Sequence, residues 1–490
     1  MTVAPSPAVA EHTDETSPAS WVSQIERARR SDAPVILSQH LRVSGADPWS
    51  WLDADRAADE TFVAWHEPSA GLTFAALGTT VARVLVGPER MAEAAAWCSH
   101  VREHHVALDS ETPPGPSMPL IVSSLAFRHR EPGADPGPWE AFGDGLLWVP
   151  RVVIASCAGQ SWATLFDCLL PDEPAHDVAD RLAGRRTALS RRAQPPVATA
   201  ALVAVDATAG ERADWEARAG RAIAAVERDD TLSKIVLARA AEHRAPADHV
   251  FDPMATARAL RARHSGCTVF AIGRPGRASF VGATPELLVR VAGSHAETTA
   301  LAGTAPRGGS PDADAALAAG LSAGAKDLRE HALVVSAIVD ALADHAVDAE
   351  ASVSAAGPHL RSLADVHHLE TSITAALKSP GRLWDLVSAL HPTPAVGGVP
   401  RDEALGWLAE HEALDRGAYA GPVGWVDAQG DGVFHVALRS ALLIADRALA
   451  YAGAGLVRGS SPADEWAETE HKLRAIRAAL CVRRATPGQP

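Results

Sequence analysis

The sequence contains no asparagine, and only four of its 45 lysines and arginines are lysines: Lys234, Lys326, Lys378 and Lys472. Tyrosine is as scarce, with Tyr419 and Tyr451 alone. All three residue types use AT-rich codons, so the pattern points to a GC-rich gene in which a generic lysine drifts to arginine. A lysine that survives does so by chance or because its site needs an amine. Lysine can lose its proton, and arginine effectively cannot.

Other absences narrow the class. No apolar run reaches the roughly 18 residues of a spanning helix, so no membrane partner is expected. A net charge of −15 provides no basic face for phosphates, which argues against nucleic acid as the main partner. The five cysteines (Cys98, Cys157, Cys168, Cys267, Cys481) include no CxxC pair. That fits a reducing cytoplasm and gives no zinc site. The opening MTVAPSPAVAEHTDETSPAS has neither a basic start nor an apolar core, so it is no secretory signal. Residues 1–16 read as a disordered lead-in.

What remains is a 490-residue chain, 47% hydrophobic, which suits a globular protein. A capped helix is expected from Ser17. Short strands follow, among them a hairpin from TFVAWHE to LTFAALG. After residue 205 strands alternate with longer helices, including Ala325–Ala343, Arg401–Glu412 and Pro462–Leu480. Hairpin-connected strands with peripheral helices make an α+β fold. The segment AQPPVATA separates residues 17–200 from 201–484. It is short and lightly charged, and is read as a loop inside one unit.

Residues with chemical meaning cluster after residue 230. Lys234 precedes the apolar run IVL; it is either a strand-entrance lysine in water or a partly desolvated general base. Glu286, after Pro285, opens an apolar strand as a solvated end or as a proton donor against apolar walls. In LAGTAPRG, Gly303 and Thr304 form a small-residue turn whose backbone N–H groups can approach an anion. In GAKDLREHALVV, Asp327 and Glu330 share a helix face, as do Lys326 and Glu330, which makes a salt-bridged helix start or part of a metal site. His367 and His368 are adjacent on a strand and point to opposite faces, so they cannot form a paired-histidine zinc site. LHPTPAVGGVP is a rigid loop. Arg439 is placed in an apolar strand, where its charge calls for a carboxylate from the protein or a ligand. Glu465 and Glu468 share a face of the last helix, with Lys472 one turn beyond Glu468. Carboxylates so arranged suit Mg²⁺, or simply an exposed ion pair. Together these groups suit a small dianion bound through Mg²⁺.

PELLVR, LAGT, KDLREH, HHLET, GPVGWVDAQGDG, ALRSA and AGAGLVRGSSPADEWAETEHK, in this order over about residues 205–483, resemble the chorismate-utilising enzymes. That family includes isochorismate, salicylate and anthranilate synthases and aminodeoxychorismate synthase component I. The resemblance implies two antiparallel β-sheets packed face to face with helices outside. Lys234 matches the water-activating base of the isochorismate and salicylate enzymes. Ala302 stands where the aminodeoxychorismate enzymes place a nucleophilic lysine. The loop with Ala395 resembles that of isochorismate synthases.

The implied reaction is Mg²⁺-dependent conversion of chorismate to isochorismate, for menaquinone or siderophore synthesis. Salicylate formation by further pyruvate elimination is the alternative. Lys234 would be the base and Glu286 the acid. Glu330, Glu465 and Glu468 would hold the metal. Arg439 and Lys472 would grip carboxylates, helped by Gly303, Thr304 and Gly455, with His368 and Ala395 lining the pocket. Lys326 would order Glu330. The family is often monomeric.

Overall fold

A computed structural model describes residues 18–485 apart from 31–32, 44–46, 56–59, 132, 136, 190–199, 202–208, 230, 277, 348–351 and 354–356. The expected lead-in and residues 193–199 of the proline-containing segment lie outside the described residues.

Two large sheets, of twelve and ten strands, pack face to face, and a third sheet has three strands. The fold is α+β, with helices on the outside. The twelve-stranded sheet starts at the edge strand Gly398–Val399. It continues through Lys234–Arg244, Arg447–Val457, Ser440–Ile444, Ala278–Thr284 and Thr268–Arg274, then through strands that all precede residue 170. Among the described strands every pair is antiparallel except Val35–Arg42 with His105–Ala107.

Period-two alternation decides which core each side chain enters. In Phe62–Glu67, Val63 and Trp65 face the core between the sheets. Phe62 and Ala64 face a second core on the other side of the strand, shared with helices Pro18–Ala28, Ala175–Leu189 and Pro253–Arg263. The expected hairpin forms, with Trp65 opposite Phe74.

Several elements match their expected bounds closely. The helix Ala325–Ala343 is as read, and the last helix runs Pro462–Arg477. Two expectations fail. LAGTAPRG is not a turn but the end of the strand His295–Pro306. The glycine produces a β-bulge: Gly303 takes φ 80°, and the register with Val366–Ala376 shifts between Ala302 and Thr304. Arg439 is not inside a strand. It lies between Gly432–Val436 of the ten-stranded sheet and Ser440–Ile444 of the twelve-stranded one, with φ 49°. The apolar run hides a left-handed residue that carries the chain from one sheet to the other.

Candidate active site

One cavity gathers Lys234, Glu286, Gly303, Thr304, Glu330, His368, Ala395, Arg439, Gly455, Glu468 and Lys472. Of the residues singled out in the sequence, Lys326, Asp327, His367 and Glu465 do not line it. Strands of both sheets, the HPTPAVGG loop and the helices Ala325–Ala343 and Pro462–Arg477 supply these side chains.

Lys234 opens its strand and is 1% exposed. Its Nζ lies 2.8 Å from Glu330 Oε1. Among the effects on Glu330, burial raises its pKa, but the Lys234 charge and hydrogen bond, together with the Lys472 and Lys326 charges, outweigh it and hold the carboxyl below its ordinary range. Glu286 behaves oppositely. Burial raises it to about 7, against the lowering effects of the Thr393 hydrogen bond and of Lys234, Lys472 and Arg439. One cavity thus contains a carboxylate held below its ordinary range and a carboxyl group that still holds its proton in about half of the molecules near neutrality.

The anion-facing side is built around His368. Arg439 Nη2 donates to His368 Nε2 at 2.9 Å. Nδ1 therefore carries the proton and donates to the Gly303 carbonyl at 3.2 Å. Burial, followed by the Arg439 charge, keeps the ring neutral, well below its usual range. Arg439 is thereby aimed without being neutralised: among the described residues no carboxylate pairs with it. Of the two partners its charge called for, a ligand carboxylate remains. On the other face of the strand His367 Nε2 meets Asp314 Oδ1 at 2.9 Å, so the two histidines part as expected.

Each of the three proposed metal carboxylates sits beside a lysine. Glu330 pairs with Lys234, Glu468 with Lys472 at 2.6 Å, and Glu465 with Lys326 at 3.3 Å. Lys326 therefore reaches Glu465, across the gap between two helices, rather than Glu330, its neighbour along the helix. Among the described residues no three acidic, histidine or cysteine side chains stand close enough together to cage an ion. The donors nonetheless suit a hard cation, being all carboxylate oxygens. Burial and then the Glu468 charge raise Glu465 to about 7, a repulsion that a divalent cation between the carboxylates would relieve.

Sequence reasoning missed three groups. Both tyrosines line the cavity, with Tyr419 stacked on Tyr451 at 5.2 Å between ring centroids. Arg416 also lines it, fully engaged by Glu412 and by backbone carbonyls. Thr393 donates to Glu286 from behind. The scarcity argument applied to lysine would have found the tyrosines.

A family model described as chorismate binding enzyme matches residues 23–481. The chain belongs to the chorismate-binding enzyme family. The match reaches well into the N-terminal part, where the motif resemblance had stopped near residue 205. Among curated relatives, the salicylate biosynthesis isochorismate synthase of Pseudomonas aeruginosa is 37% identical over 93% of this chain and 92% of its own. The isochorismate synthase MenF of Bacillus subtilis is 29% identical over 93% and 96%. The solved structure of MenF, the menaquinone-specific isochorismate synthase of Escherichia coli, superposes with a TM-score of 0.73 at 25% identity. That superposition covers 94% of this chain and 99% of the other. No described helix of this family member is long and apolar enough to cross a membrane.

Proposed function

We propose that the protein is an isochorismate synthase, an isomerase that converts chorismate to isochorismate. The observation that carries this reading is the pair of buried groups in one cavity, the Lys234 amine and the Glu286 carboxyl whose pKa burial raises to about 7. Water attack at C2 with loss of the C4 hydroxyl needs a base and an acid at the same time, and the amine and the carboxyl group can fill those two roles. Lys234, in its neutral amine form, takes the proton of the attacking water. Glu286 gives its proton to the departing C4 oxygen. Arg439 and Lys472 grip the substrate carboxylates, and the bulge at Gly303 and Thr304 supplies backbone donors. Glu330, Glu465 and Glu468 would hold Mg²⁺, which when bound neutralises part of the substrate's negative charge.

Ala302 is an alanine where covalent amination would need a lysine, which supports water as the nucleophile. The Pseudomonas relative carries the name isochorismate synthase although it serves salicylate formation, which favours isochorismate as the released product here too. The product would supply menaquinone or siderophore synthesis in a reducing cytoplasm. The five unpaired cysteines support that compartment.

The test is incubation with chorismate and Mg²⁺, with products resolved by chromatography. Isochorismate alone is expected. Salicylate plus pyruvate would replace this reading with salicylate synthase, and no conversion would overturn both.

A further inference from the structure

Thr393 is 3% exposed and does not line the cavity. It touches the chemistry only through Glu286, whose Oε1 accepts its hydroxyl hydrogen at 3.1 Å. The Glu286 backbone is already fixed: its N–H donates to Thr284 Oγ1 at 3.2 Å, and its carbonyl accepts the Val436 N–H at 3.1 Å. Only the side-chain torsions remain, and Thr393 ties down their far end.

Thr393 is itself held. Its carbonyl accepts the N–H groups of Val396 and Gly397 at 3.0 and 2.8 Å. Arg416 clamps this loop onto the strand of Lys234 by donating to the Val396 carbonyl at 2.8 Å and the Val236 carbonyl at 2.6 Å. Glu412 fixes Arg416 from the other side at 2.6 and 2.8 Å and also accepts the Ala238 N–H at 2.9 Å. Every link is buried and satisfied, so the network holds one geometry.

We propose that Thr393 is the positioning residue for the acid: its hydroxyl occupies Oε1 of Glu286, so the transferable proton resides on Oε2. The inference rests on Glu286 being the acid of the proposed reaction. In the step, the oxygen of the attacking water bonds to C2, the ring double bonds shift towards C4, and the C4–O bond breaks with its electron pair staying on oxygen. That oxygen takes the Oε2 proton and leaves as water. Glu286 is left as a carboxylate, while Lys234 holds the proton of the attacking water. The Thr393 hydrogen bond strengthens as its acceptor gains charge, so it favours the transition state over the bound substrate.

The experiment compares wild type, Thr393→Val and Thr393→Ser for isochorismate formation across about pH 6–9. Thr393→Val keeps the shape and removes the donor. It is expected to lower kcat about tenfold with KM within about twofold. Its basic limb should move up by about one pH unit, because a carboxylate without its donor holds the proton more tightly. Thr393→Ser should restore both. A Thr393→Val enzyme with wild-type kcat and limb overturns the inference, as does a loss of kcat with no movement of the limb. A wild type that makes no isochorismate overturns the proposed function, and this inference with it.

Discussion

Lys234 Nζ and Glu330 Oε1 meet at 2.8 Å, and they do so across the bare backbone of Gly455. A Cβ at position 455 would stand 2.8 Å from Lys234 Cε and 2.9 Å from Glu330 Oε1. No other residue type leaves the pair room. Gly455 sits opposite Val236 in the neighbouring strand, so a glycine in one strand makes the space for a lysine at the start of the next. The AGAG run of that strand has a steric purpose and is more than a flexible end.

Gly455→Ala is therefore expected to fold but to force the pair apart. The obstruction is from side-chain ends rather than backbone, so the stability loss should be about 1–3 kcal/mol. Turnover should fall by at least about tenfold, since base and carboxylate both shift. Thermal melts and initial rates on the same preparation test this. Wild-type turnover in Gly455→Ala would show that the contact is dispensable.

Lys234→Arg separates charge from proton transfer. The guanidinium can still pair with Glu330, but it stays protonated at any working pH. Turnover should fall about 100- to 10,000-fold, the range for loss of a general base, while chorismate binding measured by calorimetry persists. Lys234→Ala should be equally inactive, which guards against the larger arginine acting by crowding at a 1% exposed position. A robust rate in Lys234→Arg refutes the base assignment.

Much of this site was legible in the sequence because its chemistry uses rare residue types at fixed spacing. Lys234, Lys326 and Lys472 are three of only four lysines, and each faces a carboxylate. Lys378, the fourth, donates to the Asp344 carbonyl and lies at the surface. Thr393 and Arg416 were not legible, because their roles come from contacts between segments distant in the chain. Arg439 was misplaced because one left-handed residue leaves no mark in an apolar pattern. The helices Pro253–Arg263 and Pro311–Ala323 were passed over, although Asp252 and Ser310 cap them and a proline opens each. That cap-then-proline signature could have been read.

Dependence on a divalent cation can be checked without relying on rate alone. Mg²⁺ that binds the folded chain raises its melting temperature by mass action. Removing the cation with a chelator should abolish turnover and lower the melting temperature, and added Mg²⁺ should restore both. Glu468→Gln removes the carboxylate that lines the cavity from the last helix, so it should lose the Mg²⁺-dependent shift as well as activity. A melting curve indifferent to Mg²⁺ in the wild type would count against the metal.

Glu286 should set a trade between activity and stability, with a definite sign in pH. Burial raises its carboxyl from 4.5 to about 7 in the folded chain. Below about pH 4 the group is protonated in both states and contributes nothing. As pH rises through about 7 the unfolded chain has already ionised while the folded chain is still giving up its proton. Above that range the folded state carries the full penalty, about 3 kcal/mol at one pKa unit per 1.36 kcal/mol. Glu286→Gln cannot ionise and still offers Thr393 an acceptor oxygen. It should melt like wild type near pH 4 and at higher temperature than wild type near pH 8. Its turnover should be lower by about 100-fold or more at every pH, because it has no proton to give. The wild-type kcat/KM should itself decline as pH rises through about 7, a limb that Glu286→Gln lacks. If the variant gained no stability at pH 8, burial would not be raising this carboxyl, and the acid would have to be sought elsewhere in the cavity.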